Sequence, residues 1–450
     1  MTERLTLQIY TDNQWHDAAE LIITEPQLGR ASASELNYHL DYLSHFDERA
    51  ETAVSFCYPV ETMGYHKNNW LRFIDDIMPA GSSREYWVKK LGISDQSPVT
   101  QDFILLKQGT IAPIGNLRIK EAVPVKVTHD ITIDFTIKHV IERDIDFIEY
   151  AQENGAAAGG ATGAGGAAPK MLLRCSPQGN VWIDTFQDDP TNLDTHYLVK
   201  FPRGKTAIDK DILRAEFHFY HELEAMGFDT IPTENMHLLE GARVPSLWLP
   251  RFDVYISENQ MQHSGLESVY SILDEQAARP LLHGDVLARL IQKMTKDDYF
   301  GNTKTMLDEP NGIANFVIEW VRRDLLNIAF GNSDNHGRNT SFIKSNNTVT
   351  LAPIYDFAPM KADPEVISRT FTWGHNMERG GNYNFLLIAE HLEKWVEPDV
   401  LLNALQVTAK QLINLKTRLE QRGVPESIIN YSSIGFTNLE TKLKKWGLLA

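Results

Sequence analysis

From Gly155 to Ala168 the chain reads GAAAGGATGAGGAA, and only Thr162 in this run carries a side chain larger than a methyl group. Such a stretch has little apolar surface to bury and a permissive backbone, so it can neither pack a core nor hold one shape unaided. It must link or cover other structure, and it separates parts of different character. Before it, LTLQIY (5–10), TAVSFCYPV (52–60), ILLKQG and ITIDFTI read as strands, with a helical segment around WLRFIDDIMP and SSREYWVKKLGI. Directly after it, KMLLRC (170–175) and VWID (181–184) read as a hairpin turning at Gln178, Gly179 and Asn180. From about residue 265 onward the apolar period is helical, as in VLARLIQKM, NFVIEWVRRDLLNIAF and VLLNALQVTAKQLINLKTRLEQR. A sheet-rich first half and a helical second half fit two lobes, with a glycine-rich loop placed to cover a nucleotide.

At 450 residues the chain can build two or three structural units. Its hydrophobic share of 42% and charged share of 23% are those of a globular protein. The net charge of −17 argues against direct nucleic-acid binding, because such affinity comes largely from Lys and Arg displacing counterions. Cys57 and Cys175 lie far apart in apolar stretches, so two buried thiols in a reducing compartment are expected rather than a disulfide or a metal site. The N-terminal MTERLTLQIYTDNQW lacks a basic stretch followed by an apolar core, and no segment approaches the ~20 apolar residues of a membrane span. A cytoplasmic protein without membrane contact is expected.

The chemistry concentrates after residue 330. The helix ending at Phe330 meets Gly331, a C-cap, and then NSDNHGRN, a run of polar turn formers. TSFIK and TVTLAP can pair across Ser345, Asn346 and Asn347, and that hairpin would bring Asn339, before it, near Asp356, after it. Phosphoryl transfer needs an aligned hydroxyl, an acceptor for its proton and metal ions on the phosphate oxygens. Asp334 is placed to be the base; the five-residue step to Asn339, with Asp356 following a strand, is the spacing of a protein-kinase catalytic loop and its metal ligands. Oxygen donors of this kind suit magnesium. Taken singly, SDNHGRN is a polar turn and YDF a strand end; their joint order points to a site. His336 is placed either to contact phosphate or to hydrogen-bond within the turn.

In HYLVKFP, Lys200 ends an apolar strand, where a kinase carries the lysine of the α- and β-phosphates. Glu216 shares a helical face with Ile212, Leu213, Phe219, Tyr220 and Leu223, so its carboxylate needs a partner, and a Lys200–Glu216 ion pair is expected. Two other motifs fail on spacing. HGD at 283–285 lacks the metal-binding Asn, since position 290 is Leu290, and Asp285 reads as an N-cap. Gly204, Lys205 and Thr206 lack the earlier P-loop glycine, since that position is Val199.

With these residues in view the chain resembles the HipA family of bacterial serine/threonine kinase toxins. The likeness runs through VSFCYPV, WLRFIDDIMP, GAAPKMLL, HYLVKFP, AEFHFYHELEAMGF and LPRFD, and is most specific in GNSDNHGRNTSF and IYDFAP. It implies a bilobal kinase-like fold, an α/β N-terminal region followed by an all-α C-terminal region. On matching positions it implies Asp334 as catalytic base, Asn339 and Asp356 on magnesium, and Lys200, paired with Glu216, on ATP phosphate. Gly163, Gly165 and Gly166 would lie in the phosphate loop, Pro250 and Phe252 at the adenine-binding hinge, and Tyr355 and His336 beside the nucleotide. It further implies a translation-component substrate such as an aminoacyl-tRNA synthetase, and a HipB-like DNA-binding antitoxin. Two positions depart from the pattern: Pro250 replaces the usual hinge Glu, and Gly163 stands where a regulatory serine is common, with Thr162 beside it.

The expected division is an α/β subdomain over 1–110, a nucleotide-binding lobe over 111–255 and a helical lobe over 256–450 with its catalytic loop at 331–339 and metal segment at 354–358. An active kinase would label a lysate protein from ATP. The alternatives are a nucleotide-gated binding protein acting through an antitoxin or other partner, and a small-molecule kinase, which the failed HGD spacing disfavours.

Overall fold

The computed structural model describes residues 2–46, 49–110, 114–123, 135–143, 169–183, 191–276, 279–295, 303–374 and 376–450. The Gly/Ala run, with Thr162, Gly163, Gly165 and Gly166, and residues 131–134 of ITIDFTI lie outside them.

Among the described residues, two five-stranded sheets and a largely helical region make up the fold. The first sheet contains β1 (Glu3–Thr11), β2 (Gln14–Ile23), β3 (Ser34–Tyr38), β4 (Tyr65–Lys67) and β5 (Leu117–Ile119) in the order β4-β3-β2-β1-β5. Leu7, Leu21 and Leu36 on it pack with Trp70 and Leu105 into a separate core. The second contains β6 (Lys170–Cys175), β7 (Val181–Ile183), β8 (Thr195–Lys200), β9 (His237–Glu240) and β10 (Pro245–Pro250) in the order β7-β6-β8-β10-β9, all antiparallel. Alternation sorts its side chains onto two faces. Leu172, Leu198 and Leu247 join the large core with Phe219 of the helix Ala207–Ala225, while Leu173, Val199 and Trp248 form a smaller cluster on the other side.

Helices dominate the remainder, centred on Gly312–Phe330. That region is mixed rather than purely helical. A four-stranded sheet orders Gly265–Ser268, Ser341–Ser345, Thr348–Leu351 and Lys304–Thr305, and includes the hairpin expected from TSFIK and TVTLAP. Asn346 and Asn347 supply the two left-handed turn residues, with φ of 51° and 57°. No helix among the described residues is long and apolar enough to cross a membrane.

Several segments depart from the sequence reading. TAVSFCYPV is not a strand: buried Glu267 accepts the Ser55 hydroxyl at 2.5 Å and the Phe56 N–H at 2.9 Å, so the backbone is satisfied without a sheet partner. Cys57 therefore sits in a turn, half-buried, whereas Cys175 ends β6 and is buried; both are free thiols. ILLKQG belongs to the helix Pro98–Gln108, because Ser97 caps it, accepting the Thr100 N–H at 3.2 Å, with Pro98 in its first turn. WLRFIDDIMP forms only the single turn Ile74–Ile77. Asp285 lies in the first turn of the helix His283–Met294 and Leu282 occupies the cap. The long C-terminal pattern breaks into Pro398–Gln411 and Leu415–Arg422, where Asn414 is left-handed at φ 57° and Arg418 binds the freed Gln411 carbonyl at 2.6 Å.

Gly331 and Gly227 both end helices with positive φ, 73° and 79°, but only Gly331 is crowded, since a Cβ there would come within 2.8 Å of Ile434. The left-handed backbone alone costs an alanine about 1–2 kcal/mol. Gly331→Ala should therefore lose more stability in urea unfolding than Gly227→Ala, by about 1 kcal/mol or more. Equal losses would show that the Ile434 side chain moves aside freely.

Candidate active site

Lys200 closes β8, and in the antiparallel register of β6 it stands directly opposite Lys170. Adjacent ammonium groups repel unless a carboxylate lies between them. Asp356 provides it: Lys200 Nζ hydrogen-bonds Asp356 Oδ1, and Lys170 Nζ lies 3.6 Å from Oδ2. Lys200 also donates to Glu216 Oε1 at 2.6 Å, which is the ion pair expected from the helix pattern. Lys200 and Glu216 are each only 3% exposed. The helix bearing Glu216 starts with Thr206 and Asp209 in a capping box, so the GKT segment serves as a helix entry. Tyr220, one turn on, donates its hydroxyl proton to Glu216 at 3.0 Å and accepts the Phe357 N–H at 3.2 Å, tying the helix to the segment after Asp356. Asp356 itself adopts a left-handed φ of 51°.

Lys170, Lys200, Glu216, Asp334 and Asp356 line one cleft between the second sheet and the helical region. Burial opposes charge on Asp356, yet Lys170 and Lys200 hold its carboxyl well below the usual carboxylate range. Burial likewise opposes charge on Lys200, but Asp356 and Glu216 keep its ammonium above the ordinary lysine value. Burial prevails at Lys170, whose pKa is lowered. At Asp334 burial raises the carboxyl against the pull of His336, and the Asp356 charge adds to the rise.

Asn339 lies in an adjoining cleft that shares Asp334, so the three expected ligand and base positions occupy two connected spaces rather than one. Its side-chain amide donates to the Asp334 carbonyl at 2.8 Å, while its Oδ1 is buried without a hydrogen bond among the described residues. His336 accepts the Arg338 N–H on Nδ1 at 3.2 Å, a bond within the turn, and its Nε2 stands 3.3 Å from Asp334 Oδ1. Burial pulls its pKa down. Tyr355 lines the adjoining cleft, donates to the Arg338 carbonyl at 2.6 Å and stacks on Phe252 with ring centroids 5.5 Å apart. Phe252 thus reaches the site through Tyr355. Pro250 ends β10, paired with Tyr197 of β8, and lines neither cleft.

Two contributors were missed in the sequence. Lys170 was visible only as the first residue of KMLLRC; its place depends on strand register. The second is a buried network that contacts the turn carrying Asp334. Asp324, 2% exposed, accepts Arg369 at 2.9 Å and the Trp373 indole N–H at 2.8 Å, and lies 3.4 Å from His283. Arg369 and Trp373 flank Phe371, whose N–H and carbonyl are both bound at 3.2 Å by Asn335, the neighbour of Asp334. The hydrophobic pattern of the helix Gly312–Phe330 contained an acid at 324, which was the available signal.

Residues 162–416 match the family described as the HipA-like C-terminal domain. Among solved structures the chain is similar to the HipA of the Shewanella oneidensis MR-1 toxin–antitoxin system, determined with HipB and its operator DNA. The identity is 15%, over 98% of this chain and 97% of that one, with a TM-score of 0.63, a likeness of fold. A fainter similarity, at 14% identity and a TM-score of 0.39, covers 64% of this chain and 92% of the Helicobacter pylori proinflammatory kinase CtkA. No curated protein matches.

Replacing Lys200 by Met would leave Glu216 short of its cation in a dry site, a loss of about 3 kcal/mol for a buried pair. Chemical denaturation of Lys200→Met, Glu216→Leu and the double variant should give a double loss well below the sum of the single losses. Additive losses would place the two groups apart in solution.

Proposed function

The chain belongs to the HipA-like C-terminal domain family, whose members are serine/threonine protein kinases of toxin–antitoxin systems, and from that premise we propose that it transfers the γ-phosphate of ATP to a protein hydroxyl with Asp334 as base, Lys200 and Lys170 on the phosphates, and Asn339 and Asp356 on magnesium. The observation that carries this reading is Lys200 held between Glu216 and Asp356 in the cleft that also contains Asp334.

The donor set fits magnesium. Asn339 Oδ1 is buried without a hydrogen bond among the described residues, and carboxylate and amide oxygens are the ligands a hard cation takes. Bound there, magnesium would neutralise phosphate charge as it develops. Asp334, raised in pKa by burial, takes the proton from the acceptor hydroxyl. Glu216 keeps Lys200 oriented, and Tyr220 ties the position of Glu216 to that of the Asp356 segment. Phe252 and Tyr355 form an aromatic pair suited to an adenine ring, and Pro250, lacking an N–H, leaves its carbonyl as the hinge acceptor. The Gly/Ala run with Gly163, Gly165 and Gly166 is assigned to the phosphates on its sequence alone.

A translation component such as an aminoacyl-tRNA synthetase is the proposed acceptor and a HipB-like antitoxin the proposed partner. The similar Shewanella protein was determined with HipB and operator DNA, and for a chain of charge −17 any DNA contact is assigned to the partner.

Asp334→Asn should lower transfer of labelled phosphate from ATP and magnesium to lysate protein by about 100-fold or more, while ATP-induced thermal stabilisation persists. Equal labelling by wild type and variant would reject Asp334 as the base. Stabilisation by ATP with no transfer in either protein would favour the nucleotide-gated binding protein instead.

A further inference from the structure

Asp75 and Asp76 belong to a single helical turn, Ile74–Ile77, at the front of the chain, well outside the matched residues 162–416. Both are buried, at 8% and 6% exposure, although the turn is too short to require two acids. Arg72 lies 3.9 Å from Asp75 Oδ2, and the other partners lie far away in sequence. Asp76 accepts the Ser268 N–H at 2.8 Å and the Ser268 hydroxyl at 2.7 Å. Asp75 Oδ1 lies 2.7 Å from Arg30 Nε and 3.8 Å from Nη2 of Arg338. Burial pushes the Asp76 carboxyl up to about 7, against the attraction of Arg338 and the two Ser268 donors.

Ser268 begins the segment that shapes the catalytic turn. It pairs with Ser341 across the small sheet, Val269 N–H donates to the Thr340 carbonyl at 3.0 Å, and Tyr270 N–H donates to the Gly337 carbonyl at 3.4 Å. The fit is tight: a Cβ on Gly337 would stand 2.6 Å from the Tyr270 ring. Arg338, 6% exposed, lies between Gly337 and Asn339, and its carbonyl receives the Tyr355 hydroxyl. The two acids therefore grip the turn twice, through its backbone clasp and through its arginine.

We propose that Asp76, assisted by Asp75, is a positioning residue for phosphoryl transfer, so that the N-terminal α/β module sets the geometry of the turn carrying Asp334 and Asn339. Neither acid touches the nucleotide cleft, and the effect falls on the rate of the chemical step rather than on nucleotide binding. This inference rests on the kinase reading for its activity readout, but its structural readout does not.

The test uses the full chain with Asp76→Ala, Asp76→Asn and Asp75→Asn, beside Tyr42→Phe as a control. Tyr42 donates to the Thr52 carbonyl at 2.7 Å inside the same module, away from the turn. At saturating ATP and magnesium, Asp76→Ala should lower labelling of lysate protein roughly tenfold or more, as small misplacements of reacting groups do. Its half-saturating ATP concentration should shift less than about twofold, since uniform binding is untouched. Asp76→Asn, whose amide oxygen still accepts the Ser268 N–H, should recover much of the rate. Asp75→Asn should lose less than Asp76→Ala, and Tyr42→Phe should keep both constants. In parallel, hydrogen exchange of amides over 265–271 and 336–341 should quicken in Asp76→Ala, again roughly tenfold or more, and not in Tyr42→Phe. A wild-type rate in Asp76→Ala, or a rate loss shared with Tyr42→Phe, would overturn the proposal, as would unchanged exchange in those two segments. If wild type transfers no phosphate, the kinase reading fails and hydrogen exchange alone decides the positioning claim.

Discussion

A single ammonium group ties the end of β8 to the helix Ala207–Ala225 and to the segment at Asp356. Lys200 is almost without solvent and answers two carboxylates, one from the helix Ala207–Ala225 and one from the segment after the catalytic hairpin. A buried charge that loses its partner costs far more than the net gain from the pair, so the arrangement tolerates little relative movement of strand, helix and loop. Asp356 in turn lets Lys170 and Lys200 stand side by side in register, where like charges would otherwise repel. Tyr220 extends the restraint by receiving the backbone N–H of Phe357. Asp356 keeps its left-handed backbone because bonds on several sides over-determine it.

Features governed by near neighbours could be read from the sequence. Gly331 after an apolar helix, Asn346 and Asn347 between two alternating runs, and Glu216 on an apolar helical face each carry their cause within a few residues. What could not be read depended on distant partners. TAVSFCYPV has strand composition, yet Glu267, more than two hundred positions away, takes the N–H and hydroxyl that a neighbouring strand would have used. ILLKQG was decided by a cap upstream of the apolar run. Lys170 became part of the site only through the register of β6 against β8, and Asn339 turned into the adjoining cleft because its amide bonds the Asp334 carbonyl. The family resemblance supplied Phe252 and Tyr355; their stacking is a tertiary fact that spacing could not give.

The turn carrying Asp334 and Asn339 is poor in regular structure, so its shape must come from what surrounds it. Below it, Asp324 holds Arg369 and Trp373 on either side of Phe371, which binds Asn335 through both backbone groups. Above it, Ser268 to Tyr270 grip Gly337 to Ser341. Both supports end on carboxylates buried among donors, Asp324 and Asp76. Such polar contacts are directional, and they suit a reaction in which the protein contributes alignment and charge more than covalent chemistry. An apolar support could stabilise the turn equally well and still leave the angle of Asp334 unspecified.

The cleft is acidic in its own right. Lys170, Lys200 and Arg203 face Asp209, Glu216, Asp334, Asp356 and Asp363, so carboxylates outnumber cations in a chain that is already strongly acidic. Arg203 is engaged by Asp363 at 3.0 Å, and Lys200 by two carboxylates, which leaves little positive charge uncommitted. A bare triphosphate entering this space would meet repulsion at close range and low dielectric. On the proposed reading Asp356 would hold a divalent ion that offsets this excess of acid, and Lys200 would then face the phosphates. The excess of acid around the lysines thus favours a nucleotide that carries its own cation over a bare one.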